Sequence, residues 1–153
     1  MATEVAKPMP IILAGKAEPV AEKAISDMKP ELDVVHFIFI NDARREIPML
    51  TRGEIPSPRN PHGSDDWSTR PKAIVYAAIY RDRDIDMYRK LTTEAAGTDA
   101  NNLIPWLRVD TSIPAPPVGP ELVKALTQRA KNMLKKLDEE GKLVPGGAVD
   151  YYY

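Results

Sequence analysis

Six polar side chains stand where a predicted strand ends, and these residues are the best placed to bind a ligand. They are Lys16, Asn41, Asp42, Arg81, Arg108 and Thr111. Because the carboxyl ends of parallel strands share one edge of a sheet, and ligands bind there where the strand order switches, we expect these side chains to converge. Arg81 and Arg108 belong to strands that we expect to be neighbours, so their guanidinium groups would hold a carboxylate or phosphate by bidentate hydrogen bonds. The alternative is that these loop residues are solvated, pair locally and cap helices.

Acid–base chemistry would fall to Asp82, Asp110 or His62. Histidine changes its charge near neutral pH, and His62 lies four residues before Asp66, which would support it as a general base. The alternative is that His62 is an exposed loop residue. The other histidine, His36, lies inside an apolar strand and is interpreted as a hydrogen-bonded core residue. The sequence leaves open whether the protein is an enzyme.

Neither a metal nor a cofactor is predicted. With two histidines and no cysteine, the chain has no ligands at the spacing of a recognised metal site. The turn AGKAEP at 14–19 occupies the place of the dinucleotide-binding loop but carries one glycine where that loop needs three. Pro19 also removes one amide from the helix end that would bind phosphate. A nicotinamide dinucleotide is therefore disfavoured.

The elements that position these residues alternate between strand and helix. Apolar runs predict strands over 10–15, 33–40, 72–80 and 103–109. Helical spacing of apolar residues, with its start and stop signals, predicts helices over 20–29, 43–50, 84–96 and 121–140. This alternation predicts an α/β fold with a small doubly wound parallel sheet of about four strands, of the Rossmann or flavodoxin type, with helices on both faces. We expect right-handed crossovers and the strand order 2-1-3-4.

Two segments lie outside this pattern. Residues 52–71 form a Pro-rich loop, RGEIPSPRNPHGSDDWSTRP, which is longer than an ordinary connection. We expect it to cover or border the polar edge of the sheet, with Trp67 as its anchoring side chain. Residues 142–153 form a tail ending in three tyrosines, which we expect to pack on the body or on another subunit. At this length the chain is expected to form a single α/β domain, 1–153.

Composition restricts the partners. Twenty-one basic and 22 acidic residues give a net charge of −1, which favours neither nucleic acid nor an anionic membrane. The absence of cysteine and of a long apolar run predicts an unsecreted, cytoplasmic protein outside the membrane. Near-zero charge permits self-association. We expect a homodimer held by the wide apolar stripe of the last helix or by the tyrosine tail, with a monomer that buries that stripe on its own sheet as the alternative.

The segment WLRVDTSIPAPPVGPE at 106–121, with the long helix and aromatic terminus that follow, resembles a group of small fungal proteins without assigned function. The resemblance extends to ILAGK at 12–16 and DVVHFIFI at 33–40, so it covers most of the chain. It implies a stand-alone Rossmann-like domain in a fungal cell and brings no catalytic residues with it. The predicted function is a ligand-binding or interaction domain without evident catalysis. The alternative is an enzyme acting on a small anionic or carbonyl-bearing metabolite at the carboxyl edge of the sheet.

Overall fold

The computed structural model describes residues 7–16, 20–58 and 62–153. Its strands are β1 Met9–Ala14, β2 Leu32–Ile38, β3 Ile74–Tyr76, β4 Trp106–Arg108 and β5 Asp150–Tyr152. Its helices are α1 Val20–Met28, α2 Ala43–Thr51, α3 Asp82–Ala96 and α4 Pro120–Glu139, with 3-10 turns at Ile40–Asp42 and Gly97–Asn102. The five described strands form one parallel sheet in the order β2-β1-β3-β4-β5. The predicted α/β class and the order 2-1-3-4 are confirmed, with one strand more than expected.

Helices cover both faces of the sheet, as predicted. On one face, α1 and α4 pack against alternate strand residues such as Ile11, Val75 and Leu107. On the other face, α2 and α3 pack against the intervening residues, such as Ile12 and Trp106. The inner strands are nearly continuous apolar runs because both of their faces are buried. In the part of the chain that the structure describes, none of the helices has the length and apolar character needed to span a bilayer.

The connection from β4 to β5 has the opposite hand to the other three. The chain steps towards β5 both from β3 to β4 and from β4 to β5, but α3 and α4 lie on opposite faces. The expectation of right-handed crossovers therefore cannot hold for all four connections. The physical reason is that the sheet face under α1 must be covered. Helix α1 spans only nine residues, and the 20-residue α4 buries the rest of that sheet face. The link 109–119 between β4 and α4 is long enough to carry the chain to that face.

The apolar stripe of α4 is buried in the protein's own core. Ala130 and Leu134, which belong to this stripe, are 1% and 0% exposed. Leu126 and Leu137 are buried in the same cluster. The centre of the stripe thus packs as the monomer alternative requires, while Leu122, Val123 and Met133 at its margins are half-buried. The homodimer stays a prediction.

Part of the tail forms the fifth strand, which the sequence pattern does not reveal. β5 pairs in parallel with β4, and the residue after it, Tyr153, is buried in the core. The Tyr153 hydroxyl donates to the carbonyl oxygen of Tyr76, and its N–H donates to the carbonyl oxygen of Arg108 at 3.0 Å. Of the two outcomes expected for the tail, it packs on the body of the same chain. A three-residue strand is too short to show a period, so only its contacts identify it.

The loop after α2 borders the sheet along the side of β2. The N–H groups of Ser64 and Asp65 donate to the carbonyl oxygens of Val34 and Val35 at 2.9 and 3.0 Å. Val35 is the extra residue of a bulge in β2, which re-aims the strand beside the loop. Trp67 packs partly buried against the core on that side. The loop lies along β2 rather than over the switch in strand order, because the outer edge of β2 offers carbonyl groups that none of the described strands pairs.

Candidate functional site

Protein side chains bridge the crevice between β1 and β3, where the strand order switches. The Tyr80 hydroxyl donates to the carbonyl oxygen of Gly15 at 3.0 Å and ties the two loops together. A Cβ built on Gly15 would lie 2.3 Å from Cζ of Phe37. Burial raises the pKa of Tyr80, which keeps its hydroxyl protonated and donating. The glycine of this turn therefore makes room for an aromatic ring. Residues 17–19 of the turn lie outside the described residues.

Four of the predicted ligand-binding residues lie around this edge without meeting. Lys16, Asn41 and Arg81 are exposed, and within the described ranges no hydrogen bond or ion pair joins their side chains. Asp42 is partly buried at the start of α2. The main-chain N–H of Arg81 donates to the carboxylate of Asp84 at 3.1 Å, which places Arg81 at the N-terminal cap of α3. Ligand binding by these four residues stays a prediction.

Arg108 is buried and surrounded by acidic side chains. It is 4% exposed, where β4, β5 and α3 meet. Its Nη1 donates to Asp86 at 3.1 Å and to Asp150 at 3.0 Å, and its Nη2 donates to Asp82 Oδ1 at 2.9 Å. Burial lowers the pKa of Arg108, but the hydrogen bonds to Asp86 and Asp150 outweigh it and raise the pKa overall. Arg108 thus connects β4 to β5 in the tail and to α3. The prediction that Arg81 and Arg108 bind one ligand together stays a prediction.

The acidic partners of Arg108 include one predicted catalytic residue and others that the sequence analysis did not single out. The predicted residue is Asp82, whose role as acid or base stays a prediction. Arg89 extends the network through an ion pair with Asp150. Asp82, Asp86 and Arg89 are spaced by four and three residues, which puts them on one face of α3. That spacing was a signal in the sequence, whereas Asp150 in the tail strand had none.

Asp110 and Thr111 lie in the turn after β4. Thr111 is exposed. Asp110 Oδ1 accepts hydrogen bonds from the hydroxyl and the N–H of Ser112, at 2.6 and 3.0 Å. These bonds, and to a smaller extent the charge of Arg129, lower the pKa of Asp110. Asp110 is therefore a carboxylate at neutral pH, so it accepts hydrogen bonds and has no proton to donate.

His62 packs at the opposite side of the sheet from Asp110. It is buried beside β2, with its ring edge-on to Phe39 at a centroid distance of 5.4 Å. It is therefore not the exposed loop residue of the alternative reading, and its role as a base stays a prediction. His36 is confirmed as a hydrogen-bonded core histidine, because its Nε2 lies 2.8 Å from Oε1 of the buried Glu46.

A cleft of about 270 Å³ lies between α4 and the carboxyl ends of β4 and β5. We call it the α4–β5 cleft. Its lining combines cationic and amide groups with apolar and aromatic ones, and consists of Asp110, Ile113, Arg129, Asn132, Met133, Lys136, Tyr152 and Tyr153. The four helix residues among them recur at helical spacing and so share one side of α4. Of the sequence-predicted site residues, Asp110 lines this cleft.

Arg129 is the central cation of the α4–β5 cleft. Its Nη2 donates to the carbonyl oxygen of Tyr153 at 2.7 Å and of Asp110 at 3.1 Å. Its Nε and Nη1 are shielded from solvent, and none of the described residues offers them an acceptor. The sequence pattern does not reveal this cleft, because the tail that forms its other wall is distant in sequence from Arg129. The positive charge of Arg129 at the wall of the cleft favours an anionic or carbonyl ligand there.

Comparison with known proteins finds a fungal relative. No family model matches the chain, and no solved structure matches it. In the described ranges, no cluster of three or more histidine or acidic side chains is placed to hold a metal ion. The chain is 28% identical over 136 residues to "Kojic acid related protein 6" of Aspergillus oryzae. The alignment covers 87% of this chain and 80% of the relative, so the chain is similar to a fungal protein over most of its length.

Proposed function

We propose that the protein is a stand-alone Rossmann-like domain that binds a small anionic metabolite in the α4–β5 cleft and performs no chemistry on it. The observation that carries the proposal is Arg129, a guanidinium cation that lines the cleft beside the carbonyl groups of Asp110 and Tyr153. A carboxylate or enolate oxygen in the cleft would be attracted by the positive charge of Arg129 and would accept charge-assisted hydrogen bonds from cations that line the cleft. Lys136 lines the same cleft and adds a second positive charge.

The shape of the cleft supports a small ligand. Its volume of about 270 Å³ lies just below the range of roughly 300–1,000 Å³ that holds drug-sized molecules. Ile113, Met133 and Tyr152 provide apolar contacts, and the amide of Asn132 provides a donor and an acceptor. A single oxygen-rich ring or a short branched acid fits this combination of size and polarity.

Binding without catalysis is supported by the state of the three acid–base candidates. The carboxylate of Asp82 is committed to Arg108. Asp110 lines the cleft, but its lowered pKa leaves it without a proton to donate. His62 packs on Phe39 at the far side of the sheet. The alternative, an enzyme acting on an anionic or carbonyl-bearing metabolite, is supported by one observation, namely that the ionised Asp110 faces the same cleft as Arg129.

The name of the fungal relative suggests one probe. It associates that protein with kojic acid, a small hydroxylated pyranone whose ring oxygens suit the donors of the cleft. The test is a calorimetric titration with kojic acid, benzoate, citrate and inorganic phosphate, supported by thermal shift. A ligand at 100 times its dissociation constant stabilises the fold by about 2.7 kcal/mol. Incubation of a bound probe with the protein, followed by mass spectrometry of the probe, distinguishes a binder from an enzyme.

Matched variants locate the binding. Lys136→Gln removes a cleft charge from the exposed side of α4, and Lys135→Gln removes a neighbouring charge that does not line the cleft. We expect the first to weaken binding by roughly tenfold, equivalent to about 1.4 kcal/mol, and the second to leave it unchanged. Arg129→Lys should also weaken binding, because lysine cannot reproduce the guanidinium donors. Absence of binding by all four probes, or equal affinity in the two glutamine variants, would exclude the proposal.

A further inference from the structure

The link between β4 and α4 exposes more apolar surface than its role as a connection needs. Residues 113–118, IPAPPV, are all exposed. Val118 is 96% exposed and Ile113 is 45% exposed, so neither residue contributes its full side chain to the core. A connection that only carries the chain from one face of the sheet to the other could consist of polar residues. The exposed apolar residues of this segment therefore indicate a further role.

The prolines preset the backbone of this link. Pro114, Pro116 and Pro117 each fix φ near −65°, and the residue before each proline is excluded from the helical region. The five residues 113–117 therefore favour the polyproline II conformation. Prolines at 114 and 117, and again at 117 and 120, have the PxxP spacing.

The two ends of the link are anchored to the folded body. The N–H of Asp110 donates to the carbonyl oxygen of Tyr153 at 2.6 Å, and the N–H of Ile113 donates to that of Asp110 at 3.3 Å. At the other end, α4 starts at Pro120 with Gly119 as its N-cap. Because the ends are fixed and the middle is preset by proline, a partner that binds this link loses little conformational entropy in ordering it.

We propose that residues 113–120 form a docking segment for a partner protein that recognises a polyproline II helix in a groove lined by aromatic side chains. Prolines stack on such grooves because the preformed helix presents its rings and carbonyl groups to the partner. The segment between Val109 and Val123 contains no lysine or arginine. Recognition therefore rests on the prolines and on Val118, and it fits the uncharged aromatic grooves of WW and EVH1 domains.

The test uses the full chain, labelled with ¹⁵N, and a panel of purified WW and EVH1 domains. The expected result is binding by at least one domain, with chemical-shift changes in the amides of 111–113, 115, 118, 119, 121 and 122. Val118→Ser and Pro117→Ala should each weaken that binding at least fivefold. Val118→Ser leaves the fold intact, because its side chain is almost entirely in solvent. Ile79→Ser is the matched control, since Ile79 is 42% exposed elsewhere on the surface, and it should bind as the unmodified chain does.

The result is independent of the ligand proposal. Neither Val118 nor Pro117 lines the α4–β5 cleft, and the titrations contain no small molecule. If no domain of the panel binds, or if binding survives both Val118→Ser and Pro117→Ala, the docking segment is excluded whatever the cleft binds. Loss of small-molecule binding in the cleft variants, in turn, leaves this result unaffected.

Discussion

At the scale of single residues, close contacts explain positions that the sequence leaves ambiguous. Gly15 stands where a phosphate-binding glycine would stand, but its neighbour is the ring of Phe37. Arg108 stands where a ligand-gripping arginine would stand, but three carboxylates accept its hydrogen bonds. In both cases the residue that contacts Gly15 or Arg108 belongs to another part of the same chain.

Gly15→Ala tests the contact with Phe37. The added Cβ would lie 2.3 Å from Cζ of Phe37, so the ring or the turn must shift. We expect the free energy of unfolding, measured in urea, to fall by about 1–3 kcal/mol. Gly147→Ala is the control, because nothing lies within 4 Å of its added Cβ, and we expect a change within about 0.5 kcal/mol. Equal effects of the two substitutions would contradict the overlap, and Phe37→Leu should restore part of the loss at Gly15.

Buried tyrosines predict a loss of stability in alkali. Burial raises the pKa of Tyr76, Tyr80 and Tyr153 above the usual value of 10.0. At a pH below 10 the folded and unfolded chains both keep the tyrosine protons, so these tyrosines do not lower the free energy of unfolding. Above it the unfolded chain ionises first, and each tyrosine lowers the free energy of unfolding by roughly 1 kcal/mol per pH unit. Urea unfolding between about pH 8 and pH 11 measures the slope, and Tyr153→Phe should reduce it by one tyrosine's share; an unchanged slope would argue against this.

At the scale of elements, the long loop and the tail complete the two sides of the sheet. The loop supplies the N–H groups of Ser64 and Asp65 to the outer edge of β2. The tail adds β5 to β4 at the other side. Both segments looked irregular in the sequence because their order comes from pairing with strands that are remote in the chain, rather than from a period of their own.

Gly63→Ala tests the docking of the loop on β2. Gly63 has a φ of +92°, and its added Cβ would lie 2.6 Å from the carbonyl oxygen of Val35. We expect faster hydrogen exchange at the amides of Ser64 and Asp65, and faster proteolysis within the loop. Gly141→Ala is the control, with a φ of +70° but nothing within 4 Å of its Cβ. If the amides of Ser64 and Asp65 exchange at the same rate in the two variants, the contact between Gly63 and Val35 does not hold the loop on β2.

At the scale of the whole molecule, the reversed hand of the β4–α4–β5 connection decides which surfaces exist. By placing α4 beside α1 rather than beside α3, it brings Arg129 and Lys136 next to the tail strand. The α4–β5 cleft and the exposed proline link both result from this crossing. The same crossing buries the apolar stripe of α4 within the chain.

Cysteine cross-linking tests the position of α4. The Lys131 ammonium lies 2.6 Å from the carboxylate of Glu31, at the start of β2 on the α1 side. The chain has no cysteine, so Glu31→Cys with Lys131→Cys creates a single pair. We expect a short bismaleimide reagent to join this pair rapidly and to leave Glu94→Cys with Lys131→Cys unjoined, because Glu94 is on α3 at the other face. The reverse pattern would place α4 on the α2–α3 face.

The homodimer remains a prediction, and the structure narrows where it would form. In the described residues β5 is the outer strand of the sheet, and Tyr152 on it is 49% exposed. Light scattering after size-exclusion chromatography is expected to give twice the monomer mass of 17.0 kDa. Tyr152→Lys should return the protein to a monomer, whereas Ile79→Lys at a distant exposed site should not. A mass of 17.0 kDa at all micromolar concentrations would eliminate the dimer.

The sequence by itself determined the local elements. The short, β-branched apolar runs of β1 and β2 predict strands covered on both faces, and the helically spaced apolar residues of α4 predict a helix with one buried side. The alternation of these elements was enough to predict a parallel sheet and the order of its first four strands.

The tertiary structure decided the rest, because the deciding contacts join residues that are far apart in the chain. Arg108 meets Asp150 across 42 positions, and the Tyr153 hydroxyl meets the carbonyl oxygen of Tyr76 across 77 positions. Those contacts create the fifth strand, pair Arg108 with three carboxylates, and turn one side of α4 into a cleft around Arg129. Local periodicity reports which side of an element is apolar, but charge pairing and clefts depend on which elements become neighbours, and that follows from the packing of the whole chain.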